Sequence, residues 1–378
     1  MKVFNGEIAM SATNNKLKIL LKVVLLGACA CVGTQAHALK YTWQAVDGNW
    51  DGNITDVAHW KCDTDGKPEY PQTSDAEVDI PAGATATITI NEDVTTSNWR
   101  VYSGTKLTLV SAKSDNAANK NMKCLTMGQM RIEKEGGMFV FDHARIKHKD
   151  GEMTGFYFLD SGLGFVKNGS YITIKAINIK NTSSSSTLSF CPETLSEVGN
   201  IQIGCGNRIV IDNATVKTGG GIYIGSNSNS EKRNGNGSIE FKGSEPKLEF
   251  TEKTKKVGGD SDVDSILDFN FVIPEGGFKS TPVISKTGQL NLFGSLQNEK
   301  SFGKIRINVL DESPIVASRK KMTHRLIEWD KGFDLDYVIE GNLPKKAIEK
   351  RFDAGVELPG VYSAIIKGGS RGMRVIIR

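Results

Sequence analysis

Three pieces of sequence decide the fold: Ser74-Asp75-Ala76-Glu77-Val78-Asp79-Ile80-Pro81-Ala82-Gly83, then Thr87-Ile88-Thr89-Ile90, then Gly104-Thr105-Lys106-Leu107-Thr108-Leu109. Apolar and polar residues alternate with period two, which sends one side chain inward and the next outward along an extended strand. Each run is closed by Gly, Pro, Asp or Ser, residues that suit turns. The same grammar continues outward from this stretch. Examples are Met130-Arg131-Ile132-Glu133, Met138-Phe139-Val140-Phe141, Tyr171-Ile172-Thr173-Ile174, Ile201-Gln202-Ile203, Arg208-Ile209-Val210-Ile211, Ile222-Tyr223-Ile224 and Lys247-Leu248-Glu249-Phe250. Short β-branched and aromatic runs between turn residues predict strands. From about residue 80 to 310 nothing has the 3.6-residue period of a helix. One later segment, Pro344 to Phe352, invites one.

Strands without helices leave stacked antiparallel sandwiches or a parallel β-helix. The runs are very short, and their corners carry Asn and Gly more than two-residue hairpin turns, which favours the β-helix. In such a coil inward Ile, Val, Leu and Phe stack on like residues of the rungs above and below. The two open ends need covering, because an exposed strand edge invites aggregation.

The order of the Trp-rich front (Trp43, Trp50, Trp60), the Ser74–Gly83 piece and the alternating strands resembles the start of secreted bacterial parallel β-helices with autotransporter-associated β-strand repeats. Arg325-Leu326-Ile327-Glu328-Trp329, Gly341-Asn342-Leu343-Pro344, Gly360-Val361-Tyr362 and the run from Met373 to Ile377 resemble the last turns of that family. The resemblance implies a single-stranded right-handed parallel β-helix with N- and C-terminal caps. Residues 39–79 would form the Trp-rich cap, 80–310 the rungs, and 311–378 the final rungs and cap. It also implies a secreted or cell-surface, adhesin-like structural module.

Residues 1–38 read as a signal peptide: Lys16, Lys18 and Lys22 give a basic flank, Ile19 to Ala30 an apolar stretch, and Ala36-His37-Ala38 a small-x-small cleavage site after Ala38. Leu26-Gly27-Ala28-Cys29 gives the alternative of lipidation at Cys29. Extracellular or outer-surface placement follows, with a periplasmic or lipid-anchored protein as alternatives. No later segment is long and apolar enough for a transmembrane helix. The whole chain has 47 Lys+Arg against 43 Asp+Glu. Residues 1–38 hold four lysines and one glutamate, so the remainder carries 43 against 42. That near-neutral balance lacks the long-range attraction to phosphate of a basic domain, and nucleic acid is excluded as a partner.

Cys62, Cys124, Cys191 and Cys205 lie beyond the signal, and Cys191 with Cys205, closest in sequence, is the expected disulfide. Asp260, Asp262 and Asp264 form a weak Ca2+ candidate; Ser265 stands where the EF-hand loop needs Gly, and Phe271 where it needs Glu. No other cofactor is expected. Trp43, Trp50 and Trp60 could stack on glycan rings, although large aromatics more often bury in a cap. Catalytic residues are not expected: no Asp-Asp pair occurs, and Glu133, Glu240 and Glu249 stand singly. Glycoside cleavage needs two carboxyl groups across one bond. Asp142 and Asp212 read as corner residues, and His143 and His148, at an odd offset, would face opposite sides of a single strand. The expected function is a non-catalytic interaction module, with cell-surface glycans or extracellular proteins as partners. The alternative is a carbohydrate-active enzyme or glycan-binding protein.

Overall fold

A computed structural model describes residues 38–64, 69–112, 122–150, 155–179, 185–204, 206–224, 236–251, 256–259, 266–289, 291–292, 304–310, 322–331, 338–341, 348–352 and 360–366. Among these the structure is nearly all β. Its one helical piece is the 3-10 turn Val57–His59.

The strands form three parallel tracks. Track I contains β2 (Gly52–Asn53), β5 (Thr85–Ile90), β8 (Lys106–Ser111), β11 (Gly137–Asp142), β14 (Gly162–Lys167), β16 (Thr187–Phe190), β18 (Arg208–Asp212), β21 (Gly237–Lys242), β24 (Ile266–Val272), β27 (Lys304–Leu310) and β29 (Val338–Glu340). Track II contains β6 (Val94–Thr95), β9 (Cys124–Met127), β12 (Arg145–His148), the first half of β15 (Tyr171–Ile179), the first half of β17 (Leu195–Ile203), β19 (Thr215–Thr218), β22 (Lys247–Phe250), β25 (Val283–Gln289) and β28 (Met322–Lys331). Track III contains β1 (Lys40–Trp43), β4 (Glu77–Ile80), β7 (Trp99–Val101), β10 (Gln129–Ile132), β13 (Gly155–Phe158), the second halves of β15 and β17, β20 (Ile222–Ile224), β23 (Lys256–Gly259) and β26 (Asn291–Leu292).

Each circuit adds one strand to each track. That is a β-solenoid-like architecture, with Asp79 and its next-rung partner Arg100 only 21 residues apart. Period-two alternation supplies the interior: β5 reads outward Thr85, Thr87 and Thr89 against buried Ala86, Ile88 and Ile90. Two aromatic stacks thicken the core, one of Phe139, Phe141, Phe156 and Phe158, the other of Phe241, Phe269, Phe271 and Phe278.

Corners follow their own ladder. Between tracks I and II, His143, Asn168, Glu193, Asn213 and Gly243 take the left-handed conformation in successive circuits, with φ from 46° to 77°. Gly and Asn tolerate that region best. Buried hydroxyls close the turns: Ser170 Oγ accepts from the Ala144 amide at 2.9 Å, and Thr194 Oγ1 donates to the Cys191 carbonyl at 2.8 Å. Asp142 and Asp212 end strands immediately before His143 and Asn213.

The ends depart from parallel stacking. At the front, β1 pairs antiparallel with β3 (Trp60–Cys62) as well as parallel with β4. At the other end, β28, β31 (Gly360–Ile366) and β30 (Ile348–Phe352) pair antiparallel. The segment that invited a helix thus ends in strand β30. Its cross-strand backbone bonds override the weak local preference. The run from Met373 to Ile377 lies outside the described residues. No helix among the described residues is long and apolar enough to cross a membrane.

Candidate functional site

The outward side chains of track II form a groove across four rungs, β12, β15, β17 and β19. Register fixes the order: Thr126, Lys147, Thr173, Glu197, Lys217 and Glu249 stand opposite one another in turn. A second row places Cys124, Arg145, Tyr171, Leu195, Thr215 and Lys247 beside it. The groove has a volume of about 570 Å³ around Arg145, Lys147, Asp150 and Tyr171. It continues as about 540 Å³ toward Lys175, Gly199 and Lys217, with His148, Thr173 and Glu197 common to both parts. Inward Ile172, Ile174, Val198 and Val216 are buried beneath it, so the floor is anchored in the core.

Gly199 sits where β17 bends from track II to track III. A Cβ there would collide with the Lys175 carbonyl one rung below. Glycine lets two bent strands stack closely at the groove's edge.

The groove's charges are not consumed by the protein. Lys147, Glu197 and Lys217 have no ion pair among the described residues, although Glu197 and Lys217 are cross-strand neighbours. Arg145 donates through Nη1 to the Met122 carbonyl at 3.4 Å, while its buried Nε lacks a partner among the described residues. The buried Nδ1 of His148 lacks one too.

The outward face of track III near the front is the opposite case. Arg100 contacts Glu77 at 2.6 Å, Asp79 at 3.3 Å and Glu133 at 3.6 Å. Arg131 reaches Glu133 at 3.0 Å, and Lys40 reaches Asp79 at 2.8 Å. Burial opposes the Arg100 charge, yet its hydrogen bond to Glu77 and the carboxylates around it push its pKa up overall. The hydrogen bond to Asp79 raises that of Lys40.

The residues singled out in the sequence are dispersed. Trp43 and Trp60 are buried, and their ring N–H groups donate to the Trp50 and Ile54 carbonyls at 2.7 and 2.8 Å. Trp43 also stacks on His59 and meets Trp60 edge-on, so neither ring has a face left for a sugar. Trp50 is partly buried against the same core. Cys62, Cys124 and Cys191 are free thiols. Burial raises the Cys191 pKa against the lowering influence of Lys167. Its expected partner Cys205 lies outside the described residues, as do Asp260, Asp262, Asp264 and Cys29. Among the described residues no cluster of His, Cys, Asp or Glu could hold a metal ion.

His143 and His148 do not share a strand. His143 is a corner residue whose Nδ1 lies 3.1 Å from the Asn168 carbonyl, whereas His148 ends β12 in the groove. The carboxylates that stand singly in sequence meet cations: Glu133 as above, Glu240 with Arg208 of the neighbouring rung at 3.3 Å and with Lys242 of its own strand at 2.9 Å, and Glu249 with Lys247 of its own strand at 3.3 Å. Arg145, Lys147, Tyr171 and Glu197 are the groove residues that sequence reasoning missed. A usable signal was present in Thr194-Leu195-Ser196-Glu197-Val198, where period two points Glu197 outward beside Thr173 of the previous coil.

Comparison of the chain with protein-family models, with curated proteins and with solved structures returned no match.

Proposed function

We propose that this chain is an exported, right-handed β-helix with capped ends that acts as a non-catalytic interaction module, holding an elongated polymer along the track II groove. The observation that carries this reading is the continuous row Lys147, Thr173, Glu197, Lys217, one side chain per rung and unpaired in its charged members. Rungs repeat every ~4.8 Å, so a linear ligand along the axis meets a new side chain at each step. Right-handedness is supported by the strong preference of parallel strand connections for that hand. Antiparallel strands at both ends support caps, since they replace open parallel edges. The reading of residues 1–38 as a cleaved signal supports export to the cell surface or medium, with glycans or extracellular proteins as partners.

A second reading, a carbohydrate-active enzyme, is favoured by one feature: Asp150, Glu197, Lys147 and His148 line the same groove. Both readings are tested on purified residues 39–378 with a panel of polysaccharides, scoring binding together with new reducing ends and unsaturated uronates. The interaction module predicts binding without products, and at least tenfold weaker binding for Thr173→Trp, which fills the groove. Turnover that disappears in Glu197→Gln would establish the enzyme instead.

A further inference from the structure

We infer that the groove's ligand is an acidic glycan, a chain of sugar rings bearing carboxylate or sulfate groups. The inference rests on the polymer-binding reading above and narrows it to one chemistry. Arg145 and Lys147 stand on one rung and Lys217 three rungs on. The interval is about 14 Å along the axis. Both lysines lack an acidic partner among the described residues. Arg145 and Lys147 at one end of the groove, and Lys217 between Glu197 and Glu249 farther along, are cations without an ion pair among the described residues, complementary to a ligand with anionic groups spaced along its length.

The residues between the cations argue for sugar rather than phosphodiester. Glu197 sits in the row beside Lys217 and two rungs from Lys147. Its carboxylate accepts hydroxyl hydrogen bonds, which sugar rings offer at every unit and a phosphodiester backbone does not. Thr173, the next member of the row, both donates and accepts, as suits hydroxyl-rich rings. Tyr171, beside Arg145 at the groove's wider end, offers a half-buried aromatic ring with a polar tip.

The experiment measures Kd by calorimetry for polygalacturonate, heparin, neutral dextran and single-stranded poly(dT), each at low and physiological salt. The account expects polygalacturonate or heparin to bind at least tenfold more tightly than dextran, with affinity falling as salt rises. Lys147→Glu with Lys217→Glu should weaken that binding at least tenfold. Lys242→Glu, a change outside the groove, should leave it within twofold. Circular dichroism shows that each variant is folded. Dextran bound as tightly as the acidic chains, without salt dependence but lost in Thr173→Trp, would overturn the acidic inference and leave the polymer-binding groove standing. Poly(dT) bound as tightly as the acidic glycans would overturn the sugar assignment. Binding of none of the four would overturn the inference together with the reading beneath it.

Discussion

Two outward faces of the same solenoid use charge in opposite ways. On track III, from β4 to β10, Glu77, Asp79, Arg100, Arg131 and Glu133 neutralise one another across rungs, and Lys40 joins from β1. On track II, from β12 to β19, Lys147, Glu197 and Lys217 sit in the same kind of cross-rung register without pairing. Backbone geometry is shared, so the difference lies in side-chain placement. Acid and base on adjacent rungs close the first face into a structural clamp. On the second face Lys147 is exposed and Glu197 and Lys217 are half-buried, without ion pairs among the described residues. A charge that the fold has already satisfied stabilises the fold, whereas one left unsatisfied is available to a ligand.

The largest effect should come from breaking the clamp. Arg100→Met removes the cation that three carboxylates share, and the Asp79 side chain is only 8% exposed. Asp79 would keep Lys40 and Glu133 would keep Arg131, but Glu77 would lose its cation, and removing the shared partner of three part-buried carboxylates should cost about 3 kcal/mol, read as a shift in urea midpoint, with glycan binding unchanged. Phe156→Ala, in the first aromatic stack of the core, should cost a similar ~3 kcal/mol by opening a cavity. Lys217→Gln is the mirror experiment. It should change stability by less than ~0.5 kcal/mol, because the side chain supports nothing in the fold, while lowering acidic-glycan affinity a few-fold.

A fourth, smaller effect separates an orphaned polar atom in a groove from one in a core. His324 on β28 is 4% exposed, and its Nε2 lacks a partner, as Nδ1 of His148 does. Burial lowers its pKa below the ordinary value of 6.5. The unfolded chain therefore takes up a proton on His324 before the folded chain does. Stability from this group is intact above pH 6.5 and declines as pH falls through that value toward the folded pKa. Unfolding midpoints measured from pH 7.5 to 5 should show this loss, and His324→Phe should flatten it.

Much of the fold was legible because it depends on period two. Alternation in Thr85–Ile90 or Tyr171–Ile179 fixes which side chains enter the core, and the structure follows it residue by residue. Corner residues were legible for a related reason: Asp142 and Asp212 precede residues in left-handed geometry that Asn213 adopts readily. The groove was not legible, because it is a property of stacking. Lys147 and Glu197 lie 50 residues apart and fall in one row, on either side of Thr173, only once coil lengths are known, and those lengths vary with the insertion at each corner. The tryptophans were candidates for glycan stacking, with burial in a cap the more usual fate of large aromatics, and Trp43 and Trp60 are buried. Size and apolarity dominated their polar N–H edges, which found backbone carbonyls.

Lysine footprinting tests the central distinction most directly. Residues 39–378 would be acetylated with and without polygalacturonate, and each lysine quantified by mass spectrometry. The account predicts protection of Lys147 and Lys217 by the polymer, while Lys40 and Lys242, paired with Asp79 and Glu240, keep their own modification rates unchanged. Uniform protection across the surface, or protection at Lys40 and Lys242 with Lys147 and Lys217 unaffected, would contradict it.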